Sequence, residues 1–113
     1  MKALTPAPVG IDLGSYKSKI SVAKRGGVEI ITNEANFRET PCVVSYGAAE
    51  RNIGEAGFTK MKSNFRDTVV APQRFVGLTS DYPMLRAETK FTPARSNISD
   101  GKIKFDVNSQ GQK

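Results

Sequence analysis

The chain contains no histidine and no tryptophan, and Cys42 is its single cysteine. Without histidine, the commonest general base and the commonest neutral metal ligand are missing. One cysteine excludes an internal disulfide and any multi-cysteine zinc site, and points to a reducing compartment. No run approaches the ~20 apolar residues that a membrane helix needs. The first eight residues are broken by Pro6 and Pro8 and do not read as a signal peptide, so a cytoplasmic location without membrane attachment is expected. Dense charge runs are also missing. Lys and Arg number 17 against 11 Asp and Glu, a net charge of +6, yet no basic run exceeds the pair Lys24-Arg25. Aromatic residues do not interleave with the basic ones as a base-stacking surface requires, so nucleic acid is not an expected partner.

What remains is a length of 113 residues, room for one small domain, with 38% hydrophobic residues, enough for a modest core. Residues 1–8 read as a disordered lead and 9–113 as one structural unit. Val9–Lys24 reads as a β-hairpin: Ile11 and Leu13 alternate with Asp12, and Ile20 and Val22 repeat the pattern beyond a small polar turn. Arg25-Gly26-Gly27 is a second turn. Val28–Ile31 is a strand apolar enough to be largely buried. Pro41 forces Thr40 to be extended, Cys42–Tyr46 forms a strand that buries Cys42, and Arg51–Ile53 is a brief strand. A short helix is expected over Glu55–Met61, weakened by Gly57. A helical turn is expected from Thr68 through Gln73 to Val76, and a short helix from Ser80 or Asp81 to about Ala87. Lys90–Thr92 and Lys102–Val107 read as a final hairpin turning at Asp100-Gly101, with one apolar and one wet face. Phe58, Phe65, Phe75 and Phe91 are expected in the core. The fold class is α/β (α+β by segment), a β-meander and hairpin sheet with short helices. Nothing after the final hairpin covers it, so self-association through an exposed sheet edge is expected.

The chemistry concentrates at Ile11-Asp12-Leu13-Gly14-Ser15. Gly14 permits a tight turn whose N–H groups are free to face an anion. A carboxylate beside such a nest repels phosphate unless a cation lies between them. The residues therefore suggest metal-bridged phosphate binding, with a plain solvated turn as the competing reading.

Ile11–Ser15 resembles the first phosphate motif of the actin, hexokinase and heat-shock chaperone superfamily. Val28–Glu34, Asn36–Pro41, Ile53–Ala56, and Asp67–Val70 through Arg74–Gly77 resemble, in order, the ATPase domain of the seventy-kilodalton heat-shock chaperones. Asn33-Glu34 and Ser63-Asn64 lean to the divergent hundred-and-ten-kilodalton group. The resemblance implies an actin-like ATPase-domain fragment, part of one lobe, from a parent that binds ATP or ADP with magnesium and assists protein folding. That parent would act as a nucleotide-exchange factor, with heat-shock chaperones or unfolded clients as partners.

Carried onto this sequence, the resemblance puts Asp12 beside magnesium through ordered water. Gly14, Ser15, Tyr16 and Lys17 line the phosphate loop. Family members commonly have two threonines and a tyrosine in this turn; here Tyr16 introduces a bulky phenol, and Lys17 brings a compensating charge. The sharpest departure is Gln73, where the family typically has a lysine that positions the attacking water and stabilises γ-phosphate charge. Gln73 carries no charge, which implies weak hydrolysis by the parent, and the chain alone is expected to be inactive and to hold no cofactor firmly. A shifted register within residues 63–79 would remove Gln73 from that role. The alternative of another class is an autonomous protein–protein interaction module without nucleotide. Arg38 is placed to pair with Glu34 or Glu39, or to remain solvated.

Overall fold

The computed structural model describes residues 6–108, so most of the lead assigned to 1–8 and the last five residues lie outside the described part. β1 (Val9–Leu13), β2 (Lys17–Lys24) and β3 (Gly27–Ile31) form an antiparallel meander, and the short β4 (Thr40–Pro41) also pairs with β2. A second sheet has the order β6 (Arg51–Ile53), β5 (Val43–Tyr46), β7 (Thr68–Val70). β8 (Arg95–Ser99) and β9 (Lys102–Asp106) form a terminal hairpin. Two short helices, α1 (Glu55–Lys60) and α2 (Leu85–Glu88), and three 3-10 turns make up the other elements among the described residues.

The core gathers around the second sheet. Val43 and Ser45 alternate inward along β5, as a period of two requires. Val69, Ala71, Phe75, Leu85 and Ala94 join them, Leu85 being 2% exposed. The polar groups buried there are satisfied. The Asn64 amide donates to Ser45 Oγ at 3.0 Å, the Thr68 hydroxyl meets Ser45 Oγ at 3.0 Å, and Val70 N–H donates to Thr92 Oγ1 at 2.9 Å. Gly57, a weak residue for a helix, is explained by packing. A Cβ there would lie 2.7 Å from the Asn52 carbonyl and 3.0 Å from that of Val43, so α1 could not sit this close to β5 and β6.

The first sheet is built differently. Val9, Ile11 and Leu13 share a face with Ile20 and Val22, set by the register Val9↔Val22 and Ile11↔Ile20, and Ile31 stands opposite Ile20. No layer among the described residues covers that face, and Ile11 is 70% exposed. The whole of β3 is exposed, which corrects the expectation that residues 28–31 are buried. An apolar run says that a strand can be buried, not that a covering layer is present. The radius of gyration, 17.2 Å, exceeds the about 13 Å of a compact chain of this length, in keeping with sheets not closed around one core.

Several elements differ from expectation. Thr68–Val70 is a strand, as two β-branched valines favour, and the helical turn begins only at Pro72. The helix expected over 80–87 is confined to Leu85–Glu88, since Pro83 disfavours helical backbone at Tyr82. Lys90 and Phe91 belong to a 3-10 turn, and the hairpin strand opposite β9 is Arg95–Ser99. Only Phe75 of the four phenylalanines is buried; Phe58, Phe65 and Phe91 are exposed. Cys42 is half-buried, between β4 and β5 rather than within a strand. The terminal hairpin remains a largely exposed two-stranded sheet, and it touches earlier segments. Phe105 meets Phe75 edge-on at 5.0 Å, Ser80 N–H donates to the Gly101 carbonyl at 3.0 Å, and Asn108 N–H donates to the Asp67 carboxylate at 2.8 Å.

Candidate functional site

The turn from β1 to β2 is closed by Gly14 N–H donating to the Lys17 carbonyl at 3.1 Å. The approach is close: a Cβ on residue 14 would lie 2.5 Å from that oxygen, so only glycine fits. Two distant segments fix the other carbonyls. Cys42 N–H donates to the Tyr16 carbonyl at 2.9 Å. Gln73 Nε2 donates to the Gly14 carbonyl at 2.6 Å across 59 residues, and Cys42 Sγ lies 3.9 Å from the same oxygen. Among the described residues, no hydrogen bond takes up the amides of Ser15 or Tyr16. The turn therefore ties down the carbonyls of Gly14, Tyr16 and Lys17 and leaves two consecutive amides for an anion.

Asp12 is exposed on the face of β1 opposite Ile11 and Leu13, with Lys19 as its register partner. It makes no ion pair among the described residues, and no group of three or more acidic or cysteine side chains there forms a metal cage. One free carboxylate beside two free amides and the Ser15 hydroxyl is a donor set that suits magnesium brought in on a phosphate. That ion keeps most of its waters and takes one or two carboxylates along with phosphate oxygens. The residues fit the group.

Lys17 is not free. Its ammonium donates to Glu39 Oε2 at 2.7 Å, and Lys19 reaches Glu39 Oε1 at 2.9 Å. Hydrogen bonds from Lys17, then Lys19, hold the Glu39 carboxyl down to about 2, and the same carboxylate raises both lysines. Glu39 escaped the sequence reading, which weighed it only as a partner for Arg38. Its role depends on β4 pairing with β2, a non-local contact that no local pattern signals. Arg38 forms no ion pair among the described residues.

Gln73 and Arg74 part ways. The chain leaves β7 through Ala71, whose left-handed φ of 51° is held by its N–H donating to the Cys42 carbonyl at 2.7 Å. The following 3-10 turn, Pro72–Phe75, sends Gln73 to the loop. Arg74 turns instead to Glu88 at 2.6 Å and covers the Phe91 ring at 4.9 Å. The structure thus brings Asp12, Gly14, Ser15, Tyr16, Lys17 and Gln73 into one neighbourhood, with Tyr16 54% exposed rather than folded over the turn. The loop lies on open surface. A hollow of about 490 Å³ lies elsewhere, between the Thr32–Ala35 turn and Gly54–Ala56.

Comparison with known proteins gives the family and several relatives of the chain. The family described as Hsp70 protein matches residues 8–113. The chain is similar to a heat shock protein homolog of Saccharomyces cerevisiae, 37% identical over 107 residues, covering 94% of this chain and 15% of that protein. Heat shock protein hsp88 of Neurospora crassa is 37% identical over 105 residues, covering 93% and 15%. Heat shock protein 88 of Dictyostelium discoideum is 34% identical over 105 residues, covering 92% and 14%. The chain spans about 15% of the length of the relatives it matches.

Proposed function

The chain belongs to the Hsp70 protein family, and on that premise we propose that the β1–β2 turn is the first phosphate loop of an ATP-binding lobe. The amides of Ser15 and Tyr16 and the Ser15 hydroxyl receive the β-phosphate, and Asp12 faces magnesium through water. Magnesium, when bound, supplies the charge neutralisation that lets a carboxylate and a polyphosphate share one site. Gly14 keeps the turn tight, and Gln73 braces it by donating to the Gly14 carbonyl.

The single observation that carries this reading is that hydrogen bond at 2.6 Å. It brings to the loop the position where the family resemblance expects the lysine that acts on the γ-phosphate. An amide there carries no charge, and one of its hydrogens is committed to the loop itself. Losing a preorganised donor or cation at developing charge commonly lowers the rate by about 10²–10³. The parent protein accordingly binds ATP with magnesium and hydrolyses it poorly, serving protein folding in the cytoplasm as an exchange factor for other heat-shock chaperones. The lean of Asn33-Glu34 and Ser63-Asn64 and the relatives of the hundred-and-ten-kilodalton group support that role. Single-turnover hydrolysis by the full-length parent tests the catalytic part. A rate about 10²–10³ below that of lysine-bearing members, rising in Gln73→Lys, is expected; a rate equal to theirs would sink it.

A second reading is favoured by the apolar face of the first sheet, with Val9, Ile11 and Leu13 all more than half exposed. In that reading the chain is a protein–protein module, and β1 and β3, the outer strands, are open to further pairing. Titration calorimetry of the parent with Mg·ATP separates the two: heat saturating at one site per chain supports the nucleotide lobe, and its absence supports the module.

A further inference from the structure

We propose that Glu39 is a positioning residue of the phosphate loop, parking the ammonium groups of Lys17 and Lys19 on one carboxylate, and that an incoming polyphosphate takes Lys17 away from it. The inference rests on the nucleotide reading above and adds the residue that controls the loop's positive charge.

Strand register sets the geometry. β4 pairs with β2 through Lys17↔Pro41 and Ser18↔Thr40, which sets Glu39 level with Lys19 on one flank of β2. On the other flank β1 pairs Asp12 with Lys19. Asp12 on β1 and Glu39, just before β4, therefore flank Lys19, and Lys17 lies two residues along the same face of β2. Lys19 has a carboxylate on each side, and its ammonium is bonded to Glu39 at 2.9 Å. Glu39 thereby draws Lys19 off Asp12 and keeps that carboxylate open to a hydrated cation. Lys17, at the end of the turn, directly follows Ser15 and Tyr16 in the chain. Its bond to Glu39 at 2.7 Å holds it aside.

The arrangement is exchangeable. The three side chains are 40–44% exposed, and ion pairs in that setting contribute little and are readily screened. A polyphosphate offers several negative charges and many acceptor oxygens where Glu39 offers one charge. Lys17 can pass from carboxylate to phosphate by rotation of its own side chain, while Lys19 remains on Glu39 and the carboxylate is never left alone.

Inorganic tripolyphosphate, titrated without magnesium into the 113-residue chain and followed by its phosphorus resonances and by the Ser15 and Tyr16 amides, tests this. Glu39→Gln keeps the size of an exposed side chain, and it is expected to bind about tenfold more tightly with a steeper dependence on salt, because two cations lose their fixed partner. Adding Lys17→Gln to Glu39→Gln should return the affinity to within about twofold of the unaltered chain. Glu39→Gln binding equally or more weakly, while both amides still respond, would overturn the role of Glu39 and leave the nucleotide reading standing. Amides that stay silent in every variant, with Mg·ATP as well, would overturn the nucleotide reading and this inference with it.

Discussion

The two larger sheets of this molecule use similar sequence material to opposite ends. The sheet of β1–β4 carries more strands and a continuous apolar face, yet β1 and β3 are exposed along their whole length. The sheet of β5–β7 is smaller and encloses Val43, Ser45, Thr68 and Val69 beneath α1 and the segments that follow β7. Strand pairing alone therefore does not make a core. What stabilises the second sheet is the layer above it, and what the first sheet offers is a rigid frame for a loop. The two are joined where Cys42 and Gln73, on the side of the second sheet, hold the Tyr16 and Gly14 carbonyls of the first.

The buried sheet is the more sensitive of the two. Leu85→Ala should lower unfolding stability by about 2–5 kcal/mol, whereas Ile11→Ala, on an exposed strand, should stay within about 0.5 kcal/mol. Denaturant midpoints of the two variants measure the contrast, and equal losses would show that the first sheet is covered in solution. Next comes the joint. Gln73→Ala removes the donor from the Gly14 carbonyl and should cost about 1 kcal/mol. It should speed hydrogen exchange at the Gly14 N–H, which closes the turn on the Lys17 carbonyl, while β5 amides keep their protection.

Acid gives a smaller, directional effect. Glu39 has a folded-state value of about 2 against an ordinary 4.5, so it binds a proton less readily folded than unfolded. Its stabilising pairs are complete above pH 4.5 and are lost as the pH falls toward about 2. The Lys17 and Lys19 ammonium resonances should shift in that window and not in Glu39→Gln. Smallest of all, Ile11→Lys should reduce self-association through the exposed face without changing the unfolding midpoint, as light scattering across a concentration series would show.

Much of the first sheet was legible because its signals are local. Alternation over Val9–Leu13 and Ile20–Val22, with a turn at Arg25-Gly26-Gly27, marks the strands, and Arg51–Ile53 and the start of α1 also lie where local composition puts them; the register comes from the structure. Burial was not legible. The apolar run Val28–Ile31 has the composition of a buried strand and stands in the open, because burial depends on a layer that the run does not encode. Between 63 and 99 the chain turns on prolines and single left-handed residues such as Ala71, whose conformations are set by tertiary contacts. There, strand and helix were exchanged at Thr68 and at Lys90. Of the site, Gly14 and Asp12 could be read from the turn itself, but Gln73 only through family resemblance, since 59 residues separate it from the carbonyl it holds. Glu39 was missed because two-residue strands such as β4 leave no periodic trace.

Amide-resolved titration of the chain with Mg·ATP decides whether the β1–β2 turn takes nucleotide. Shifts centred on Gly14, Ser15 and Tyr16, fading through Gln73, are expected, with β5 and α2 amides unmoved. Shifts confined to the hollow between Thr32–Ala35 and Gly54–Ala56, or no shift at the loop at millimolar nucleotide, would contradict nucleotide binding at that turn.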